Sequence, residues 1–199
     1  MSSTDSQFEN YFAHLQQISW TGRWYKRYWS SPLLYLSARR FGTRIAEVGS
    51  GTGSGILGAY PDRVQGFEIN PHAVAYCRDK GLNAKLIGAD GVLAAADGAF
   101  DVCVLDNVLE HIESPLSNLE ECLRVTSPDG GLVISVPGVR GFASDDDHKV
   151  FYAEEELAEL HPDWLLQHVF ATPFLVKSRF LSQRMRQYCL VAVYRKKRR

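Results

Sequence analysis

The stretch Glu47-Val-Gly49-Ser-Gly51-Thr-Gly53-Ser-Gly55, entered from Arg44-Ile-Ala, decides how this chain is read. Arg44–Val48 reads as a strand that runs straight into glycines, and a helical run follows. Glycine permits positive φ and lets backbone N–H groups approach a ligand closely. The loop is therefore either a tight turn or a ligand cradle. Outward from it one pattern recurs: a short apolar run, a turn, a helical stretch. Arg63–Ile69 reads as a second strand. Asn70-Pro71 then opens a helix over His72–Lys80, where proline suits the first turn. Ala84–Ile87 reads as a third strand, followed by a short helix near Gly91–Ala96. Phe100–Leu105 is a fourth strand. Ser114-Pro115 starts a helix with Leu116, Leu119 and Leu123 on one face, and the turn cluster Ser127–Gly131 ends it. Leu132–Val136 is a fifth strand and Ala153–Leu160 a helix. Leu165–Phe170 and Tyr188–Tyr194 are the last strands, joined by the polar segment Lys177–Gln187. Two helices, Phe8–Trp20 and Pro32–Arg40, precede the first strand. Apolar strands alternating with helices imply an α/β fold, a sheet covered on both faces. The pattern leaves open how the last two strands pair.

Spacing narrows the ligand. A dinucleotide fingerprint, G-x-G-x-x-G, fails in both registers, because the sixth position is Ser54 counted from Gly49 and Ile56 counted from Gly51. No lysine follows these glycines, so the G-x-x-x-x-G-K-[ST] phosphate loop fails too. This disfavours a nicotinamide dehydrogenase. What remains is E-x-G-x-G-x-G. Glu68 lies 19 residues beyond Gly49, at the end of the second strand. An acidic side chain there can bond a ribose diol. A ligand with a ribose and no phosphates suits this loop.

These residues resemble the class I S-adenosylmethionine-dependent methyltransferases. The resemblance starts at Glu47–Gly53 and passes through Glu68, Gly88-Ala89-Asp90-Gly91 and Phe100–Ser114. It ends at Leu123–Pro137. Within the family it is nearest the small-molecule branch that includes quinone-biosynthesis enzymes. It implies a Rossmann-like, doubly wound sheet of seven strands, mostly parallel, with an antiparallel last strand. It implies S-adenosylmethionine as cofactor and S-adenosylhomocysteine as product. The cofactor residues it implies are Glu47, Gly49, Ser50, Gly51, Thr52, Gly53, Glu68, Ile69, Asn70, Asp90, Gly91, Asp106, Asn107 and Val108. Of these, Glu68 would hold the ribose and Asp90 the adenine amino group. The expected reaction moves a methyl group to oxygen or nitrogen of a small acceptor, which charge placement makes anionic if the basic lid and the basic crossing between the last two strands both border its pocket.

A sulfonium methyl is already electrophilic, so most of the rate can come from positioning. A base matters when the acceptor is a hydroxyl or a protonated amine. The candidates are His111, in Asp106–His111 after the fourth strand, and His148, in Asp145–Tyr152 after the fifth. The second stretch resembles a loop that borders the acceptor pocket in the same branch. His14, His72, His161 and His168 have no such context and read as structural. Some quinone-type relatives hold a divalent metal here, but Asn107 stands where their first Glu would be, and no metal is expected. The D/N-P-P-Y/F signature of base amino-methylation is absent, since Asp106-Asn107-Val108-Leu109 stands there.

The net charge of −1 is an average over unlike pieces. Residues 1–46 carry 6 basic and 2 acidic groups, 47–176 carry 7 and 21, and 177–199 carry 9 basic and none acidic. Trp20, Trp24, Tyr25, Tyr28 and Trp29 interleave with Arg23, Lys26 and Arg27. The resemblance implies that helices ahead of the sheet close the cofactor pocket, so segment 1–41 is expected to be a helical lid, 42–195 the catalytic domain and 196–199 a basic tail. Trp24, Tyr25, Tyr28 and Tyr152 are the expected acceptor-pocket residues. The basic ends also suit peripheral contact with an anionic membrane. Two other readings remain: a cofactor-binding protein without turnover, and a nucleic-acid methyltransferase that uses those ends. Nucleic acid is not the expected partner. Scattered Cys77, Cys103, Cys122 and Cys189 and a polar start fit a cytoplasmic protein.

Overall fold

A computed structural model describes residues 3–16 and 20–198. The outer ends of the expected lid and tail segments, and the side chains of His14 and Trp20, lie outside the described residues. The strands are β1 (Ile45–Val48), β2 (Val64–Glu68), β3 (Ala84–Leu86), β4 (Phe100–Asp106), β5 (Thr126–Pro137), β6 (Trp164–Thr172) and β7 (Cys189–Lys196). They form one sheet in the order β3-β2-β1-β4-β5-β7-β6. β1 to β5 pair in parallel, and β7 runs antiparallel to both neighbours. The expected seven-stranded, doubly wound α/β sheet is observed.

Alternation along each strand builds two cores. Ala46, Cys103, Leu105, Leu132 and Ile134 bury into one face. Ile45, Val102, Val104 and Val133 bury into the other. Central strands with both faces covered read as continuous apolar runs.

Helices precede the sheet. α1 (Ser3–Gln16) is followed by α2 (Trp20–Tyr25), a wide π-type turn (Lys26–Ser30) and α3 (Ser31–Arg39), with Pro32 in the first turn of α3. The remaining helices are α4 (Ile56–Ala59), α5 (Pro71–Asp79), α6 (Leu116–Val125), α7 (Val139–Phe142), α8 (Glu154–Ala158) and α9 (Arg179–Arg184). α5 starts where expected: the Asn70 side chain accepts hydrogen bonds from the His72 and Ala73 N–H groups, and Pro71 occupies the first turn.

Two local expectations are corrected. No helix forms near Gly91–Ala96; the segment is irregular, and Lys85 and Arg124 side chains bond its carbonyls. The Ser127–Gly131 cluster does not end α6 as a free turn. It is a bulge inside β5, which pairs with β4 at Phe100↔Thr126 and again at Val102↔Gly131. Backbone pairing absorbs the turn-forming residues.

Candidate active site

Strand order reverses between β1 and β4, so the crevice lies beyond their carboxyl ends. The glycine loop leaves β1 there. Gly49 has φ 76°, and a Cβ on it would lie 2.5 Å from Val108 Cγ2. Only glycine lets the loop pass Val108, just beyond β4, this closely. The Gly49 and Ser50 N–H groups donate to the Phe67 carbonyl at 2.8 and 3.1 Å, which ties the loop to β2.

Glu68 ends β2 and is buried. One oxygen accepts from Gly51 N–H at 2.8 Å and the other from Asn70 N–H at 2.9 Å. Burial raises its pKa, against those N–H bonds. The apolar side chain of Ile69, next to it, is half exposed. Asp90 lies beyond β3, exposed, with Oδ1 accepting from Val92 N–H at 3.1 Å. Gly91 follows it at φ 78°. These groups sit at neighbouring strand ends, as expected.

Glu47 is different. Both its oxygens turn under the loop to the start of α4, accepting from Ile56 N–H at 3.1 Å and Leu57 N–H at 2.7 Å. A Cβ on Gly55 would collide with Glu47 Oε1, so the absent side chain makes room for this bond. The expectation that Glu47 faces the ligand is corrected: it caps α4 and so shapes the loop from beneath. Burial raises its pKa to about 7, and the Asp106 charge adds to the rise.

Asp106 ends β4, and Asn107 follows in the left-handed region at φ 56°. Asp106 Oδ2 receives Lys26 Nζ at 3.2 Å, and its Oδ1 is buried with no hydrogen-bond partner among the described residues. Burial works to lower the Lys26 pKa, but Asp106 outweighs it and the net shift is upward. Lys26 was not legible as a site residue. It reaches Asp106 from the π-type turn, a widening common at functional sites.

Past Val108, a short 3₁₀ turn (Leu109–His111) places Glu110 and His111 at the crevice. The Glu110 carbonyl accepts from Lys149 and Val150 N–H at 2.7 and 3.1 Å, which draws in the loop carrying His148. The two imidazoles lie 4.7 Å apart between ring centres. His148 Nδ1 lies 2.9 Å from the Phe142 carbonyl, and His111 Nδ1 lies 3.3 Å from the Asp147 carbonyl. A carbonyl can only accept, so each Nδ1 carries the proton of its contact, and in the neutral ring Nε2 is the atom left to accept. His148 Nε2 stands 3.9 Å from Glu110 Oε1. Both Glu110 oxygens are buried without a hydrogen-bond partner among the described residues. One ligand atom from each of Glu110, His111 and His148 lies within 4.8 Å of the others, a spacing that also admits a cation. The Asn107 amide oxygen accepts instead from the Cys189 thiol at 3.7 Å. The motif resemblance weighs Asn107 for that place and does not join His148 to the pair.

Burial raises the Glu110 pKa to about 8, and the nearby Asp106 adds to it. Burial and then His148 lower the His111 pKa. The unfolded chain therefore sheds the Glu110 proton first as pH rises. Stability falls between the unfolded value, 4.5, and about 8, then levels off. Glu110→Gln removes this cost. Its melting temperature is expected to gain on wild type from about pH 5 upward, by roughly 5 °C at about pH 8. Scanning calorimetry across that range checks the sign and size.

α1 lies over the crevice. Phe8 O accepts from Asn70 Nδ2 at 2.8 Å, and Phe12 packs edge-on against Tyr76 at 5.6 Å. Leu15 borders Gly51. Burial raises the Tyr11 hydroxyl to about 12, and the charges of Glu68, Asp147, Asp145 and Glu110 add to the rise. The lid over Glu68 is thus α1, not the aromatic cluster. Trp24 and Tyr28 are exposed and pack on each other at 5.7 Å. Tyr25 is half-buried, its hydroxyl donating to the Gln187 carbonyl at 3.1 Å. Tyr152 is buried in the core, close enough to Glu110 that the carboxylate raises its pKa beyond the effect of burial.

The basic end divides. Arg195 and Arg198 bond Asp129, and Lys196 Nζ bonds the Leu123 and Thr126 carbonyls, all at the opposite edge of the sheet. Among the described basic residues of this end, those between 177 and 188 stay at the crevice edge. The expectation of an anionic acceptor rests on that crossing and the lid, not on the tail.

Comparison with known proteins agrees with this geometry. Residues 46–134 match the family model for a methyltransferase domain. An uncharacterized methyltransferase of Mycobacterium leprae is 33% identical over 108 residues, covering 47% of this chain and 37% of the relative. A ubiquinone biosynthesis O-methyltransferase of Thiobacillus denitrificans is 28% identical over 102 residues, covering 47% and 44%. This chain spans less than half the length of these relatives. Among solved structures, a SAM-dependent methyltransferase from Aquifex aeolicus superposes with TM-score 0.64 at 16% identity, covering 96% of this chain and 98% of its own. One from Thermotoga maritima, described as a possible histamine N-methyltransferase, gives 0.65 at 17%, covering 96% and 99%. Sheet order, glycine loop, strand-end carboxylates and the matched region converge: residues 46–134 match a methyltransferase domain, and the fold is the one seen in SAM-dependent methyltransferases.

Proposed function

We propose that the chain transfers a methyl group from S-adenosylmethionine to an oxygen or nitrogen of a small acceptor seated beside His111 and His148. The observation that carries this is the pair of imidazoles, each with an Nε2 lone pair, set next to a buried carboxyl at the crevice edge.

The residues fit the cofactor. Each Glu68 oxygen accepts one backbone N–H and keeps capacity for a ribose hydroxyl. Ile69 offers an exposed apolar surface beside it, and Asp90 can accept from an amino group. Asp106 Oδ1 is a buried polar atom without a partner among the described residues, as a site that takes a polar ligand would show. When bound, the cofactor supplies an electrophilic methyl group.

The protein holds the acceptor and takes its proton. His148 Nε2 is the accepting atom. The acceptor's proton puts a positive charge on His148, which favours ionisation of Glu110 beside it; the carboxyl's own proton then leaves to solvent at the crevice, and an ion pair remains instead of a lone buried charge. His111, held neutral by burial, is the second base. His148→Ala is expected to lower turnover roughly a hundredfold while S-adenosylhomocysteine affinity stays within about twofold. Labelled methyl transfer to a panel of hydroxylated and aminated small molecules checks this. Unchanged turnover would remove His148 from the reaction. Tight cofactor binding without transfer to any acceptor would favour a binding protein. A methyltransferase of nucleic acid gains no support from the tail, which lies at the far edge of the sheet.

A further inference from the structure

Two segments distant in sequence meet beside the crevice and leave large apolar side chains in solvent. Trp24, Tyr28 and Trp29 come from the second helical segment. Phe174, Leu175, Val176 and Phe180 come from the β6–β7 crossing. All seven are 47 to 63% exposed. Trp29 Nε1 donates to the Pro173 carbonyl at 2.6 Å, and Tyr25 donates to Gln187, so the segments form one surface. Leu175 is held at φ 61°, a left-handed conformation that costs a leucine roughly 1 to 2 kcal/mol, and it remains exposed there. An apolar surface of this extent on a globular domain marks an interaction site.

Charge selects the partner. Residues 173–188 carry four basic groups and no acidic one, and residues 20–30 carry three and none. Lys177 is paired with Glu154, Lys26 with Asp106, and the Arg184 guanidinium lies over the Phe180 ring at 4.7 Å. A second copy docking through the same face would set like charges against each other, because a two-fold interface is self-complementary. Aromatic and aliphatic side chains rimmed by arginines suit the headgroup boundary of a negatively charged bilayer. β6 ends at Thr172 and β7 begins at Cys189, opposite Pro137 at the carboxyl end of β5. Cys189 touches Asn107. The surface therefore borders the crevice mouth.

We propose that the surface formed by Trp24, Tyr28, Trp29, Phe174, Val176 and Phe180 docks on an anionic phospholipid bilayer, with the crevice mouth facing the lipid. The docking does not depend on the methyl-transfer reading. It would let an acceptor dissolved in the membrane enter without crossing water.

The test is co-sedimentation of the full chain with phosphatidylcholine vesicles, pure or containing about one-third phosphatidylglycerol. The expected result is binding to the anionic vesicles only, lost in about 0.5 M salt as charges are screened. The triple variant Phe174→Ser, Val176→Ser, Phe180→Ser should bind at least tenfold more weakly, with unchanged melting temperature. Arg179→Glu with Arg186→Glu should lose binding with the apolar side chains intact. Absence of binding, equal binding to neutral vesicles, or equal binding by wild type and triple variant would overturn the proposal. So would a dimer in light scattering that the triple variant abolishes, since the surface would then join two copies of the chain.

Discussion

Glu68→Gln is expected to weaken S-adenosylhomocysteine binding on the order of a hundredfold. Glutamine keeps the shape but loses the charge and one accepting oxygen. Both Glu68 oxygens already accept backbone N–H groups, from Gly51 and Asn70, so glutamine would also set its amide N–H₂ against one of those donors. A hydrogen bond to a charged group contributes about 1.5 to 3 kcal/mol, and about 1.4 kcal/mol is tenfold in affinity. Burial magnifies the loss, because a low-dielectric site leaves no water to replace the bond. Calorimetric titration gives the affinity, and a melting curve on the same sample separates lost binding from a disturbed loop. A Glu68→Gln variant that binds as tightly as wild type would remove Glu68 from the ribose site.

Lys26→Met is expected to destabilise the fold by about 2 to 3 kcal/mol, a fall in melting temperature of roughly 5 to 10 °C. The figure is set below that for a fully buried pair because the Lys26 side chain keeps 24% of its exposure. The cause is the partner left behind. Asp106 is 3% exposed in its side chain and lies close enough to Glu47 and Glu110 to raise both their pKa values. Without Lys26, three carboxyl groups share one dry strand end. Adding Asp106→Asn to Lys26→Met should restore most of the loss, because the uncompensated charge is then gone. Equal destabilisation by the single and double variants would show that Lys26 contributes through packing of its stem alone. The same pair ties the helical segment before the sheet to the crevice, so Lys26→Met should also weaken the closure of that segment.

The sheet was legible because its signal is local. Each strand is a short apolar run bounded by glycine, proline or a polar turn, and loop spacing excluded dinucleotide and phosphate-loop folds before any comparison. Glu68 was legible for the same reason, as an acid at a strand end, whereas Asp90 was named only through the family resemblance. What could not be read was long-range. Lys26 reaches Asp106 across 80 positions of sequence, and His148 meets Glu110 only because the Glu110 carbonyl binds the loop. Glu47 sits in the motif, and the motif alone points it at the ligand. Its side chain instead turns to α4, which depends on Gly55 having no Cβ. The aromatic cluster reads as a lid only through the resemblance, whose members close the pocket with helices ahead of the sheet; large rings by themselves argue for core packing. Phe8, Phe12 and Leu15, at helical spacing, are the better guide to α1. The charge of the last segment averages two ends of β7 that lie at opposite edges of the sheet.

Calorimetric titration of the wild-type chain with S-adenosylhomocysteine tests the cofactor site most directly. The expected result is one-to-one binding at micromolar ligand, with affinity lost in Glu68→Gln and kept in His148→Ala. No heat of binding at millimolar ligand from a folded sample would contradict it.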